Sequence, residues 1–443
     1  MATVCAATKP PRIGAATEEV LPEVQPKNRL VVIGNGMAPG RVLERLFETA
    51  PGAYDVTIFN SEPRVNYNRI MLSPLLSGEK TFEQIVIHGD GWYINHGVTL
   101  YKGATITGID RAAKTVTSAR GITVQYDKLL IATGSLPIIL PVPGNKLAGV
   151  LTYRDLDDVQ AMLVAAKSRG SAVVIGGGLL GLEAAAGLKE QGMDVTVLHL
   201  MPTLMERQLD DTAGQMLRKA VESRGIRVIT GAHTAAILGE KKVEAVLLAD
   251  GTCIAADLVV MAVGIRPNIS LANGAGLDTG RGIKVGLNMQ TSDPDIFAVG
   301  ECAEAGGDVF GLVAPLYEMA GVVARQLAGD QGATFQRNAM ATKLKVTGIE
   351  LFSAGDFSTG PGRADLTLHD GAHGNYKRLV IEDRKLIGCV MFGDTAAGGY
   401  FFGLIQSGED ITPIRDTLIF GAAFAPAQPA VNPSGVPAQG IAA

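Results

Sequence analysis

The distribution of apolar positions divides the middle of the chain into alternating strands and helices. Residues 172–175 form a short run, AVVI, which leads through three glycines into a helix-forming segment that ends near Lys189. After a turn at Gly192, a second apolar run covers residues 194–200. Short apolar runs bounded by glycine predict buried strands, and the longer segment between them predicts a helix. The pattern therefore predicts an α/β unit with a parallel sheet.

Glycines in this unit have the spacing of a dinucleotide-binding turn. They lie at Gly176, Gly178 and Gly181, directly after the first strand and at the start of the helix. In such a turn the first glycine allows the tight bend, and the second lets backbone N–H groups approach a pyrophosphate. The third lets helix and strand pack closely. The spacing alone is a weak signal, but the flanking strands and helix are the context that the motif requires.

A similar unit lies near the start of the chain. The apolar run Asn28–Ile33 is followed by GNGMAPG (residues 34–40), by a predicted helix and by a second predicted strand. The third glycine is replaced by Pro39, which a first helical turn accepts, and Gly40 is expected to supply the close packing. The carboxylate expected near a ribose after the second strand is offered by Glu62; a solvated surface carboxylate is the alternative interpretation.

Composition and charge narrow the class of protein. The 443 residues predict about three domains, and 47% hydrophobic against 19% charged residues is typical of globular cores. A net charge of −5 argues against a nucleic-acid partner. No apolar run approaches the roughly 18 residues that span a bilayer. The four cysteines (Cys5, Cys253, Cys302 and Cys389) show no metal-binding spacing, which predicts no metal site and a reduced, cytoplasmic protein.

The last third of the chain predicts a unit of short strands at residues 335–421. Two alternating apolar runs flank Asp383 and Arg384, which predicts a β-hairpin turn at these two residues. Residues 1–27 lack the apolar core of a secretory signal. Residues 422–443 are rich in Ala, Pro and Gly. Both ends are therefore expected to be disordered, flexible tails.

Six segments carry a resemblance to a known family: GNGMA, EPRVNYNRIMLS, GGGLLGLEAA, LMERQLD, QTSDPDIFAVGECA and FGLVAP. With them the chain resembles the flavoprotein reductases related to glutathione reductase. Among these it is similar to the FAD- and NAD(P)H-binding part of assimilatory NAD(P)H nitrite reductase large subunits. The resemblance implies an α/β fold with two Rossmann-like dinucleotide-binding domains and a C-terminal α+β domain at residues 335–421. The FAD-binding domain would be split into residues 28–150 and 274–332, with the NAD(P)-binding domain at residues 151–273 inserted.

The resemblance also assigns residues to an FAD site. Backbone groups of the first turn would hold the pyrophosphate, with Glu62 near the adenosine ribose and Arg69 along the flavin and phosphates. Glu301 would hold the ribityl chain, at a position where the wider family uses aspartate. A helix beginning at Ala314 and Pro315 would direct its N–H groups at the pyrimidine edge of the flavin. In full, the expected FAD-binding residues are Gly34, Asn35, Gly36, Met37, Ala38, Glu62, Arg69, Ala104, Ala132, Thr133, Gly134, Gly300, Glu301, Ala314 and Pro315.

A second set of residues is expected at NADH or NADPH. Glu183 resembles a family carboxylate that positions the nicotinamide and is the candidate catalytic residue; a helix-surface glutamate is the alternative. His199 stands at the end of the second strand, where a carboxylate would favour NADH and cations would favour NADPH. No arginine follows before Arg207, which favours NADH, while a plain surface histidine is the alternative. The full expected set is Gly176, Gly178, Leu179, Leu180, Gly181, Glu183, His199, Gly264 and Ile265.

Departures from the family are equally informative. Its disulfide reductases carry a CxxxxC pair on the helix after the first two strands, and related peroxide and coenzyme A enzymes carry one cysteine there. Residues 61–80 of this chain contain none. Cys302 is the one cysteine close to the expected flavin, and a small packed residue is its expected role. Ferredoxin reductases place a lysine where Pro74 stands, so this position favours the nitrite reductase branch.

The resemblance therefore predicts an FAD-dependent NAD(P)H oxidoreductase of nitrite or nitrate assimilation. A nicotinamide would donate hydride to FAD, and electrons would leave singly to an iron–sulfur or sirohaem acceptor on a separate chain. The alternatives are a general NADH:rubredoxin or ferredoxin reductase, a non-catalytic flavin redox-sensing module and a stand-alone NAD(P)H oxidase. No nucleic-acid or membrane partner is expected, and a homodimer is expected because the C-terminal domain of relatives often forms one.

Overall fold

The computed structural model describes residues 27–336, 341–346 and 348–424. The expectations for residues 1–26 and 425–443 lie outside the described residues. The chain builds two five-stranded parallel sheets and one five-stranded antiparallel sheet, together with smaller sheets.

The first parallel sheet is centred on the apolar run at the start of the chain. Ile33 pairs with Phe59 on one side and with Ile131 on the other, so three strands end at the same edge of the sheet. Elements of this part are β1 (Asn28–Ile33), α1 (Met37–Thr49), β2 (Tyr54–Asn60), β3 (Asn66–Tyr67), a 3-10 turn (Arg69–Met71), α2 (Leu72–Ser77), α3 (Phe82–Ile85), β4 (Val86–His88), α4 (Asp90–Asn95), β5 (Thr99–Lys102), β6 (Ile106–Asp110), β7 (Thr115–Ser118), β8 (Thr123–Gln125), β9 (Lys128–Ile131) and β10 (Ser135–Pro137).

The second parallel sheet repeats this design around the central glycine turn. Ile175 pairs with Leu198 on one side and with Met261 on the other. Elements of this part are β11 (Val150–Thr152), α5 (Leu156–Ala166), β12 (Ser171–Ile175), α6 (Leu179–Glu190), β13 (Asp194–His199), α7 (Asp211–Glu222), β14 (Arg227–Thr230), β15 (Thr234–Leu238), β16 (Ala245–Leu248), β17 (Cys253–Ala255), β18 (Leu258–Met261) and β19 (Ile265–Pro267).

A segment from beyond the second sheet returns to complete the first. Its elements are α8 (Ser270–Gly274), β20 (Ile283–Val285), β21 (Ile296–Ala298), β22 (Ala303–Ala305), β23 (Asp308–Val309) and α9 (Val313–Leu327). β21 pairs in parallel with β9, and α9 packs along α1. The first sheet is therefore assembled from two separated stretches of chain, with the second sheet inserted between them.

The C-terminal unit is an antiparallel sheet covered by one helix. Asp383 and Arg384 have φ values of 47° and 61°, the left-handed pair that a tight two-residue hairpin needs. The predicted hairpin is therefore confirmed. Its elements are β24 (Ala341–Val346), β25 (Ile349–Gly355), β26 (Arg363–Asp370), β27 (Asn375–Glu382), β28 (Lys385–Phe392), α10 (Gly398–Ser407) and 3-10 turns at Thr412–Ile414, Leu418–Phe420 and Ala422–Phe424.

The two parallel-sheet units contact each other through packed helices and through a β-ribbon. A Cβ on Gly187 of α6 would lie 2.7 Å from the Leu76 side chain of α2, which shows how closely these helices approach. β10 and β19 form a two-stranded antiparallel ribbon between the two units. The predicted fold class, two Rossmann-like units with a C-terminal α+β unit, is confirmed; the individual domain boundaries stay predictions.

Candidate functional site

The two glycine turns share one local construction. Gly34 has a φ of +105°, and a Cβ there would lie 2.2 Å from the carbonyl oxygen of Ala132. Gly176 has a φ of +124°, and a Cβ there would lie 2.2 Å from the carbonyl oxygen of Ala262. Glycine alone escapes this clash without backbone strain. Each turn is thus pressed against the neighbouring strand, at the edge where the strands of its sheet end.

The second glycine of each turn faces open space instead. Gly36 and Gly178 precede α1 and α6 with φ values of −83° and −82°, which any residue can adopt. A Cβ on either glycine would meet no atom within 4 Å. Neither the chain's packing nor its backbone conformation therefore requires glycine here, whereas a closely bound ligand would. The residues present fit the pyrophosphates of FAD and of a nicotinamide dinucleotide, because a helix N-terminus favours anions.

The third position of each turn is closely packed. A Cβ on Gly181 would lie 1.9 Å from the carbonyl oxygen of Gly176. In the first turn Gly40 takes this role, as predicted, because a Cβ there would lie 2.3 Å from Asn66 Nδ2. Asn66 Nδ2 in turn donates to the carbonyl oxygen of Gly36 at 3.0 Å. Asn66 was not found by sequence reasoning, because its partner lies 30 residues away.

Three helices at this site begin without a side-chain cap. No described side chain caps the first turns of α1, α6 or α9, whereas Asp155 and Asp210 cap α5 and α7. Ala314 and Pro315 lie in the first turn of α9. A Cβ on Gly300 would touch the Cβ of Ala38 at 3.4 Å, so the Gly300 turn adjoins the start of α1. Uncapped first turns leave N–H groups available to an anionic or electron-rich ligand.

Glu62 and Arg69, both expected at FAD, form an ion pair with each other. The Tyr67 hydroxyl donates to the second Glu62 carboxylate oxygen at 2.8 Å. The Glu62 side chain is 14% exposed, so it is not the solvated surface carboxylate of the alternative interpretation. Arg69 Nη1 also donates to the carbonyl oxygen of Arg154 at 3.1 Å.

Arg154 is a site residue that sequence reasoning missed. Its guanidinium pairs with the Glu301 carboxylate, which also accepts from Ser135 Oγ at 2.9 Å. Arg154 follows β11 of the second sheet, whereas Glu301 follows β21 of the first. This ion pair therefore links the two units beside the Gly300 turn, and Glu301 is held by two partners before any ligand is considered.

Several expected residues occupy strand ends and connections. The Ala104 N–H donates to the carbonyl oxygen of Asn60 at 2.7 Å, which closes the loop after β5. Thr133 Oγ1 donates to the carbonyl oxygen of Asn268 at 2.7 Å. The Gly264 carbonyl accepts from the N–H of Ile138 at 3.0 Å, where the ribbon between the units begins. The remaining expected residues are Asn35 and Met37 at the start of α1, Ala132 and Gly134 after β9, Leu179 and Leu180 at the start of α6, and Ile265 in β19.

Glu183 lies at the seam between the two units. Its Oε2 accepts from Ser73 Oγ of α2 at 2.7 Å, and Ser73 Oγ lies 3.0 Å from the Tyr153 hydroxyl. Burial raises the pKa of the Glu183 carboxyl, and the Ser73 hydrogen bond opposes the rise. No lysine follows Ser73, since position 74 is proline. Glu183 is therefore a largely buried carboxyl held by the Ser73 hydroxyl group rather than a helix-surface glutamate.

His199 ends β13, but its ring turns inward beneath the second glycine turn. The Gly177 N–H donates to His199 Nδ1 at 3.0 Å, and His199 Nε2 lies 3.0 Å from Glu206 Oε2. His199 is 8% exposed, so it is not the surface histidine of the alternative interpretation. Glu206 was not found by sequence reasoning; a carboxylate soon after the strand end was the available signal.

The three described cysteines form no disulfide bond, and two of them are buried. Cys302 is fully buried, its Sγ lies 3.3 Å from the Val299 carbonyl oxygen, and burial raises the pKa of its thiol. Cys389 is also buried, whereas Cys253 is exposed. Within residues 27–336, 341–346 and 348–424, no cluster of His, Cys, Asp and Glu is arranged for a metal ion. The same residues contain no helix with the length and apolar character needed to cross a membrane.

Comparison with known proteins agrees with this geometry. Residues 28–332 match the pyridine nucleotide-disulphide oxidoreductase family, and residues 341–409 match the rubredoxin NAD+ reductase C-terminal domain. The solved structure of a ferredoxin reductase for the CYP199A2 system from Rhodopseudomonas palustris superposes with a TM-score of 0.76. It is 27% identical in sequence, and the match covers 84% of this chain and 92% of that one.

Two curated relatives come from Bacillus subtilis. A nitrite reductase [NAD(P)H] is 45% identical over 87% of this chain and 48% of its own length. An assimilatory nitrate reductase electron transfer subunit is 44% identical over 89% of this chain and 51% of its own length. The chain thus spans about half the length of the curated relatives that it matches. With the family match covering both glycine turns and both sheets, the chain belongs to the pyridine nucleotide-disulphide oxidoreductase family.

Proposed function

We propose that this chain is an FAD-dependent NAD(P)H oxidoreductase that passes electrons to an iron–sulfur or sirohaem acceptor in nitrite or nitrate assimilation. The observation that carries the proposal is the pair of similarly built glycine turns, each open at its N-cap glycine. They lie on two sheets that α2 and α6 hold together. The Bacillus subtilis relatives named nitrite reductase and nitrate reductase electron transfer subunit support the class of acceptor.

The chemistry that bound FAD would supply is the exchange between a two-electron hydride donor and a one-electron acceptor. The chain's own residues bind and orient. Backbone N–H groups at the start of α1 would hold the FAD pyrophosphate, and the Glu62–Arg69 pair would adjoin its adenosine side. Arg154 fixes the Glu301 carboxylate, which would hold the ribityl chain. The uncapped start of α9 would direct its positive dipole end at the flavin ring.

The second turn receives the nicotinamide nucleotide in the same way. Backbone N–H groups at the start of α6 hold its pyrophosphate. Glu183, on the next turn of that helix, accepts a hydrogen bond from Ser73 of the FAD-binding unit. From there it would position the nicotinamide at the seam. Hydride transfer between a nicotinamide and a flavin needs no side-chain acid or base, so the role proposed for Glu183 is orientation.

Electron exit through a neighbouring thiol is disfavoured in this chain. Residues 61–80 contain no cysteine, and Cys302 is fully buried. Electrons therefore leave directly to an acceptor, whose placement on a separate polypeptide is the finer part of the proposal. Unpaired cysteines in the described part of the chain support a reducing compartment such as the cytoplasm. A homodimer stays a prediction.

A second candidate function is a general NADH:rubredoxin or ferredoxin reductase. The match of residues 341–409 to the rubredoxin NAD+ reductase C-terminal domain favours it. The two proposals share the reaction with the nicotinamide and differ only in the electron acceptor.

The test compares acceptors under identical conditions. The FAD-loaded chain and NADH are mixed anaerobically with an iron–sulfur sirohaem nitrite reductase module, a rubredoxin or a ferredoxin, and reduction of each acceptor and consumption of nitrite are followed. Gly178→Val is the control, because it should bind FAD but not NADH. Fastest reduction of the nitrite reductase module is expected. Faster reduction of rubredoxin or ferredoxin would establish the general reductase instead.

A further inference from the structure

The loop after β13, residues 200–210, is clamped onto the second glycine turn. Both backbone polar groups of Gly177 are used: its N–H donates to His199 Nδ1 at 3.0 Å, and its carbonyl accepts from the N–H of Met205 at 3.1 Å. A Cβ on Gly177 would lie 2.5 Å from the Leu204 side chain. Leu204 and Met205 are themselves almost completely buried. The loop therefore has one fixed position relative to the turn.

Met205 directs the next residue back towards the strand end. Its φ is +52°, a left-handed conformation that is uncommon for a residue other than glycine and persists only where the surroundings enforce it. The N–H groups of Gln208 and Leu209 both donate to the Met205 carbonyl, at 2.8 and 2.9 Å. This bend places the Glu206 carboxylate beside the His199 ring.

The two hydrogen bonds of the His199 ring determine which of its nitrogens carries the proton. Because the Gly177 N–H can only donate, His199 Nδ1 must be the acceptor, so the ring proton lies on Nε2 and is donated to Glu206. The ring has both nitrogens engaged and lies almost out of solvent. Of this hydrogen-bonded pair, Glu206 is the partner that a ligand can reach, because its side chain is 33% exposed.

We infer that Glu206, positioned by His199, is the residue that selects NADH over NADPH. In dinucleotide-binding folds a carboxylate at the end of the second strand accepts from the adenosine ribose 2′-OH and repels a 2′-phosphate. Here the strand ends in histidine, and the carboxylate is supplied seven residues later through the His199 ring. Arg207 is exposed beside it, and a preference for NADPH through that cation is the opposite outcome. The inference rests on the proposed function and adds the identity of the coenzyme.

The experiment measures coenzyme choice in the FAD-loaded protein. The ratio of kcat/KM for NADH over NADPH is determined with an artificial dye for wild type, Glu206→Gln and Glu206→Arg. The wild-type ratio should exceed about tenfold, should fall about tenfold in E206Q, and should invert in E206R. Glu240→Gln, at an exposed site in another loop, makes the same change in net charge and should leave the ratio unchanged. A wild-type preference for NADPH, or an unchanged ratio in E206Q, overturns the inference.

His199→Asn tests the positioning role. Asparagine can still accept from the Gly177 N–H but is too short to reach Glu206, so the coenzyme ratio should fall while FAD content stays normal. An unchanged ratio in H199N would mean that His199 does not position Glu206.

A second readout needs neither turnover of NADPH nor a stable variant. In wild type, 5′-AMP should inhibit NADH oxidation more strongly than 2′,5′-ADP (adenosine 2′,5′-bisphosphate), because the two differ only in the 2′-phosphate. Equal or reversed inhibition overturns the inference. A protein without FAD, or one unreactive towards both coenzymes, would instead refute the proposed function, so the two failures are distinguishable.

Discussion

Replacing Gly36 or Gly178 with valine should abolish the binding of one cofactor and leave the fold intact. The two residues have the same position before a helix and nearly the same backbone angles, and a Cβ on either meets nothing within 4 Å. Valine is poorer than glycine as an N-cap residue, by roughly 1 kcal/mol at most, and both variants share this cost. Their thermal stabilities without cofactor should therefore be similar to each other and close to that of wild type.

Cofactor affinity should respond far more strongly than stability. Branched methyl groups at Gly36 would fill the space that the pyrophosphate needs and pull it away from the N–H groups of Met37 and Ala38. Each hydrogen bond to a charged phosphate contributes about 1.5–3 kcal/mol, so the loss of two costs roughly 3–6 kcal/mol. This corresponds to a weakening of FAD binding by about 10²- to 10⁴-fold.

The assay titrates FAD into cofactor-stripped protein and follows the fluorescence of the flavin. Gly36→Val should lose FAD affinity by that factor, whereas Gly178→Val should bind FAD normally and fail to be reduced by NADH. Gly181→Ala is the contrasting variant, because its Cβ would lie 1.9 Å from a backbone oxygen and should destabilise the protein itself. FAD affinity within threefold of wild type in a folded Gly36→Val protein would refute the assignment of the first turn to FAD.

Three further predictions concern the residues around the site. Glu183→Gln should raise the melting temperature at about pH 8 more than at about pH 5. The pKa of the Glu183 carboxyl is raised in the folded state, so its contribution to stability is complete only below its unfolded-state pKa and is lost as the pH rises. An equal shift in melting temperature at both pH values would contradict that burial effect. Cys302→Ala should cost about 1 kcal/mol of stability yet leave NADH-to-dye activity within about threefold, since its thiol is fully buried, and a large loss in folded, FAD-loaded protein would reveal a redox role. Tyr376→Phe removes a 2.7 Å hydrogen bond to Asp210 and should destabilise the protein by about 1 kcal/mol in denaturant titrations. Asp210→Ala should destabilise it by about 3 kcal/mol, because this change also removes the α7 cap and a partner of Arg378. Equal losses of stability would show that Tyr376 is the only important contact of Asp210.

Local features of the fold could be predicted from the sequence because short-range chemistry determines them. The glycine turns, the acceptance of Pro39 in the first turn of α1 and the hairpin at Asp383 and Arg384 all depend on residues within a few positions of one another. The split of the first sheet was expected from the family resemblance, since no local pattern joins β21 to β9.

Pairings across the seam could not be predicted. Arg154 and Glu301 are 147 residues apart, and Ser73 and Glu183 are 110 residues apart. Each pair forms only once the two sheets have packed, so neither partner carries a signal in its own segment. His199 shows a subtler limit: its place at a strand end was predictable, but the inward turn of its ring depends on the clamped loop at Met205.

Anaerobic mixing of the purified, FAD-loaded chain with NADH tests the central claim most directly. We expect the visible absorbance of the flavin to bleach on adding one equivalent of NADH and to return when an oxidised iron–sulfur acceptor is added. The Gly178→Val variant should fail at the first step. A yellow protein that keeps its colour with both NADH and NADPH, or a protein that takes up no FAD at all, would contradict the claim that the two glycine turns serve one electron-transfer reaction.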